Sequence, residues 1–177
     1  MKKILIAIML LLSTATMAQR LSVLGIEMGT SIEKAEKILN ERYGEFNVYR
    51  TGNTELKVYD ALLGGSEFDA ISFTFQCARH GGITYTFLSH VELQKAFNSY
   101  SSAKSLFNIW EEKLVRKYTA DDVREFITEK QTEKEVLISF KEDVWLHLCY
   151  SESNGGDYFW YVVINYHEDI IDESNDY

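Results

Sequence analysis

Proline is missing from this chain altogether, cysteine occurs only twice, and acids outnumber bases, 27 Asp and Glu against 18 Lys and Arg. Each shortage excludes something. Disordered segments are poor in aromatics and commonly rich in proline; with no proline and 14% aromatic residues, this chain reads as a folded one. A deficit of clustered Lys and Arg argues against nucleic acid, whose phosphates need such clusters. The same acidic balance is repelled by anionic lipid. No apolar run reaches the roughly twenty residues that span a bilayer. No Gly-x-Ser-x-Gly elbow, His-Glu-x-x-His motif or phosphate-cradling glycine loop occurs, so no reaction is announced.

What is present begins at the N-terminus. MKKILIAIMLLLSTATMAQ puts Lys2 and Lys3 before an apolar run from Ile4 to Leu12, then small residues ending at Ala18. That is the layout of a secretory signal peptide, residues 1–18, with cleavage expected after Ala18. The run is short for the alternative, a retained membrane anchor. The first cysteine is Cys77, so no lipid-modified N-terminus is available and the mature chain is expected to be soluble, in the periplasm or outside the cell. Losing Lys2 and Lys3 but no acid takes the net charge from -9 to -11. The mature chain, about 160 residues, suffices for one ordinary domain or two small units with a shared core. Cys77 and Cys149 both survive cleavage into an oxidising compartment. A disulfide between them would add about 2–4 kcal/mol; the other possibility is two buried thiols that never meet.

The stretch MGTSIEKAEKILNERYG, 28 to 44, predicts an amphipathic helix. Thr30 and Glu33 have the spacing of a capping box, Ile32, Ala35, Ile38 and Leu39 share a face, and Gly44 closes it. From Phe68 the period drops to two, with Ile71, Phe73 and Phe75 alternating with Ser72, Thr74 and Gln76. A strand around Leu56 to Leu62 precedes this, CARHGG reads as a hairpin loop, and alternation resumes at Ile83 and runs toward Phe97. A second amphipathic helix, capped by Ser101 or Ser102, carries Ala103, Leu106, Phe107, Trp110 and Leu114 on one stripe. Strands are expected at Val136 to Phe140, Val144 to Tyr150 and Tyr158 to Tyr166. Residues 119–130 suit either a helix or an edge strand, with the strand or irregular structure favoured.

The order therefore predicts an α+β fold: two helix-then-antiparallel-strand repeats, 19–99 and 100–168, sharing one antiparallel sheet with both helices on one face. An acidic tail, 169–177, follows. The helix opening in LGIEMGTSIEKAEKILNERYG, with Tyr-Gly ahead of antiparallel strands, resembles the uncharacterised secreted proteins of the Bacteroides group. More distantly it is similar to the β-lactamase inhibitor protein and the outer-membrane assembly lipoproteins. The resemblance implies architecture and an exported location; the acylated cysteine of the lipoproteins is missing, and no functional residue carries over.

Chemistry has few candidates among the residues. His147 and Cys149, two apart on an expected strand, share a face and would suit half of a zinc site or a Cys-His nucleophilic pair. No second ligand cluster exists at metal spacing, so an ordinary strand face is the plainer reading. Asp121 with Asp122, or Asp169 with Asp172, could serve a glycosidase, and the acidic tail could collect calcium, but without the spacing of a calcium loop. No metal or cofactor is expected. The most informative stretch is DYFWYVVINYH, whose two faces are both apolar or aromatic. One packs under the helices; the other is either covered, by long side chains or a second copy, or used. Trp145, Tyr150, Tyr158, Trp160 and Tyr161 are the candidate aromatic platform for a protein or glycan. The expected function is a non-catalytic binding or protein-protein interaction module of the bacterial envelope, a homodimer being possible. The alternative is a small secreted hydrolase with its site near Cys149 and His147.

Overall fold

A computed structural model describes residues 21–168 except 81, 127–133, 142 and 154; the side chains of His80 and Phe126 are also outside the description. The signal peptide and the acidic tail lie outside the described residues. Chain order is a two-residue hairpin, β1 (Ser22–Val23) and β2 (Ile26–Glu27), then α1 (Ile32–Tyr43), a 3-10 turn (Glu45–Asn47), and β3 (Val48–Thr51), β4 (Glu55–Leu63), β5 (Ser66–His80) and β6 (Ile83–Phe97). After α2 (Tyr100–Val115) come β7 (Ala120–Phe126), β8 (Glu135–Phe140), β9 (Val144–Glu152) and β10 (Tyr158–His167). Eight strands form one antiparallel sheet in the order β3-β4-β5-β6-β10-β9-β8-β7.

The expected α+β class, two helix-then-strand repeats, is corrected by these proportions. Strands hold 57% of the described residues against 23% in helices, only two α-helices occur among those residues, and one large sheet dominates, with no clear division into two repeats. The physical reason is strand length. β5 and β6 run 15 residues each, and β5 continues into the stretch that CARHGG suggested as a loop because the backbone stays paired there, from Cys77 opposite Thr86 to His80 opposite Ile83. The helices also do unlike jobs: α1 packs toward β3, β4 and β6, whereas α2 lies over β10, β9 and β6. Residues 120 to 126 form the edge strand favoured for that stretch.

Helix caps shift by one to three residues. Ser31, not Thr30, caps α1, accepting from the Lys34 amide at 3.4 Å, and Ser99, not Ser101 or Ser102, caps α2, accepting from Ser102 at 3.3 Å. In both, a serine with extended backbone stands just before the first helical residue, the geometry a side-chain cap requires. The buried stripes are Ile32, Ala35 and Leu39 on α1 and Ala103, Phe107, Trp110 and Leu114 on α2. Both stripes belong to a single core cluster with sheet residues that include Leu56, Phe73, Leu93, Leu146 and Val162, β6 being the strand both helices reach. Each such side chain, fully buried, contributes on the order of 1.5–3 kcal/mol.

Two devices shape the sheet. Ser89, buried beside Thr74, marks a bulge where the β5–β6 register shifts between Thr74 and Phe75, which bends the hairpin. At the other end Asp60, at φ +50, reverses which face its neighbours bury, so that Ala61 and Phe68 are in the core. Phe68 then meets Trp110 of α2 edge-on at 5.5 Å, and β5 parts from β6 beyond Ala70. Asp69 fills the break: it accepts from the Ala96 amide at 2.7 Å and from Lys95 Nζ at 2.6 Å. The sheet edges are blunted, β3 by being four residues long and β7 by Asp121, Asp122, Arg124 and Glu125, which discourages pairing with other chains.

Because Asp69 satisfies an amide that the ladder abandons, Asp69→Ala should lower urea-unfolding stability by about 1–2 kcal/mol, reduced from the charged-group scale by partial exposure. Asp69→Asn, which retains an acceptor for Ala96, should lose less. Equal and negligible losses in both would contradict this role.

Candidate functional site

With both helices contributing to one core, the opposite face of the sheet carries the outward residues of every strand. Along β10 the burial alternates strictly: Trp160, Val162, Ile164 and Tyr166 are buried, while Phe159, Tyr161, Val163, Asn165 and His167 are half-buried. Register then assembles rows across this open face. One runs Tyr59, Ala70, Gln94, Val163, His147, Leu137, and the next Lys57, Ser72, Glu92, Asn165, Trp145, Ser139. Tyr49 joins Tyr59 near the β3 edge, ring centroids 5.2 Å apart. Tyr161 sits beside Phe159 at 6.3 Å.

The five aromatic candidates are not brought together. Tyr161 and Trp145 lie on the open face, opposite Cys149 and Asn165 respectively. Trp160 is buried on the helix side, edge-on to Tyr100 at 4.8 Å and 5.1 Å from Tyr150, and Tyr158 stacks on Tyr150 at 5.5 Å at the end of that same face. The parity of residue numbers carries this split: 158, 160 and their cross-strand partner 150 share one face, 161 and 145 the other.

At one end of the open face is a groove of about 620 Å³. Tyr59 and Tyr161 supply its rings, and Asp69, Gln94 and Ser151 its hydrogen-bonding groups, with Cys149 in the wall. Apart from Tyr161 and Cys149, none of these side chains was marked as a candidate by the sequence, since Tyr59, Asp69, Gln94 and Ser151 come from four separate strands and only register unites them.

Cys77 and Cys149 are both free, so the disulfide considered for them is not formed. The strand order explains it: β6 and β10 intervene between β5 and β9, which at about 4.8 Å per step separates the two strands by roughly 14 Å, well beyond the reach of a disulfide. Cys77 is exposed and Cys149 half-buried. Burial, reinforced by the charges of Glu135 and Glu92, pushes the Cys149 thiol up to about 12. A thiol held there stays protonated near neutral pH and is a poor nucleophile and metal ligand.

His147 sits two residues away on the same strand, its pKa lowered by burial against a smaller opposing effect of Glu135. His90 is likewise lowered by burial, with Glu92 opposing. No group of three or more His, Cys, Asp and Glu side chains placed to hold a metal occurs among the described residues. Of the carboxylate pairs, Asp122 is engaged with Arg124 at 2.6 Å on the edge strand, and Asp169 and Asp172 lie outside the described residues. Among the described residues no helix is long and apolar enough to cross a membrane. Compared with known proteins, the chain matches no family model, no curated protein and no solved structure.

The cysteine environments predict a two-step thiol titration on the native protein at pH 8. One equivalent, Cys77, reacts promptly with a chromogenic disulfide, and the second, Cys149, reacts only on denaturation. Equal rates for both thiols, or none reacting without reductant, would contradict the description.

Proposed function

We propose that the mature chain is an exported, non-catalytic binding module of the bacterial envelope, and that the open sheet face is its recognition surface. The observation that supports it is the composition of that face. Trp145, Tyr161, Phe159, Tyr59 and Tyr49 interleave with Gln94, Asn165, Ser72 and Ser139, the mixture of amphipathic rings and hydrogen-bonding groups common in partly wet interfaces. A concave end with convergent polar groups is where a ligand, protein or glycan, gains most contact. The signal-like N-terminus supports export, as does the resemblance to secreted Bacteroides-group proteins. Against the hydrolase alternative stands the raised pKa of Cys149. A homodimer meeting through the same face is a competing occupant, which light scattering on the mature protein distinguishes.

The test is capture from envelope extract, alongside a glycan array, using the mature protein and a Tyr59→Ala, Tyr161→Ala double variant. Loss of the captured ligand by about tenfold or more in the variant, the scale of one interface hot spot, is expected. Equal capture by both proteins would remove the open face from the account.

A further inference from the structure

A second concavity lies on the helix side of the sheet and is independent of the reading above. A cleft of about 270 Å³ opens between the β1–β2 hairpin, the tip of the β4–β5 hairpin and the last turns of α2. Its floor is apolar, made by Val23, Leu24, Leu63, Trp110, Leu114 and Tyr166. Lys113 and Lys117 also line it. The Lys113 ammonium donates to the Gly64 carbonyl at 2.6 Å and lies 4.7 Å from the Trp110 ring centroid, which fixes it at the lip. Two of its three donors are left for another acceptor. Lys117 Nζ lies 4.9 Å over the Tyr118 ring. Arg42 approaches the same wall, donating to the Leu24 carbonyl at 3.4 Å.

Two lysines thus line an apolar cleft in a chain whose net charge is -9. Two further features mark the wall. Leu24, 8% exposed, holds φ +57 in the tight turn before Gly25, a conformation that costs a leucine and that Asn or Gly would adopt without strain. Trp110, 6% exposed, has no protein hydrogen-bond partner for its indole N–H among the described residues, although buried tryptophans usually find one.

We propose that this cleft binds a small apolar monocarboxylate, its alkyl or aryl body against Trp110 and Leu114 and its carboxylate at Lys113 and Lys117. An apolar cavity of roughly 150 Å³ takes up benzene. On that scale the cleft holds a body of at most about eleven carbons, so an eight-carbon chain fits. Charge at the rim excludes the corresponding cation, and the apolar floor disfavours short hydrophilic acids.

Calorimetric titration of the mature protein with octanoate, octanol and octylammonium tests this. Octanoate binds at one site, octanol on the order of tenfold more weakly, and octylammonium gives no binding heat. Lys117→Gln, at an exposed position, weakens octanoate by roughly three- to tenfold and leaves octanol unchanged. Leu63→Trp, which fills the cleft from the hairpin tip, removes both. The Tyr59→Ala, Tyr161→Ala variant binds octanoate as the parent does, which keeps this site separate from the open face. No binding of octanoate at its solubility limit, equal affinity for all three amphiphiles, or octanoate binding indifferent to both cleft variants would overturn the proposal. So would binding of a peptide ending in leucine with octanoate silent.

Discussion

Eight residue pairs, from Phe97 opposite Trp160 to His90 opposite His167, join β6 to β10. Every other strand neighbour in the sheet is also a neighbour in sequence order, so this is the one pairing that closes a long loop. Closing it costs chain entropy that local hairpins do not pay. The return comes from what the pairing brings together beneath it. α2 leaves the end of β6 and crosses β10 and β9, burying Ala103, Phe107, Trp110 and Leu114 against Val162, Ile164, Leu146 and Leu148 in the common core. Without the β6–β10 seam, the apolar face of α2 would have half a sheet to cover.

The seam also decides which surfaces are left for function. Since α1 and α2 both feed one core cluster, the other side of an eight-strand sheet is left to half-buried rings and hydrogen-bonding groups. The groove by Tyr59, Gln94 and Tyr161 straddles the seam itself, drawing on β4, β6 and β10. The cleft on the helix side depends on it less directly, through the position in which α2 presents Trp110, Lys113 and Lys117 to the hairpin tip at Gly64. A Cβ at Gly64 would come within 3.3 Å of the Trp110 ring, and its φ of +58 disfavours a side chain there in any case. Glycine therefore lets the hairpin close on the helix without backbone strain or pressure on the Trp110 ring.

Much of the local structure was legible in the residues. Period-two alternation located β4, β5, β6, β8, β9 and β10, and the 3.6 spacing of Ile32, Ala35 and Leu39 and of Ala103, Phe107, Trp110 and Leu114 located the two helices. The extent of β5 was less legible, since the side-chain pattern fades after Gln76 while backbone pairing carries the strand on to His80. The aromatic platform was misdrawn although parity could have separated Trp160 from Tyr161 and Tyr150 from Trp145. Three things had no sequence signal of their own: the jump from β6 to β10, the reversal of faces at Asp60, and the meeting of Gln94, Asp69 and Ser151 in one groove. The first and third depend on pairing between distant segments, the second on one residue's backbone conformation. The separation of Cys77 from Cys149 follows from the same jump, which puts two strands between them.

Native-state hydrogen exchange, read residue by residue, tests the seam most directly. If β6–β10 pairing holds one cooperative sheet, amides in the centre of β6 and β10 exchange most slowly, through a single global opening whose free energy the core of β5 and β9 shares, while β3 and β7 exchange earlier. Two distinct slowest openings, one for β3 to β6 and another for β7 to β10, with the seam amides exchanging early, would contradict it.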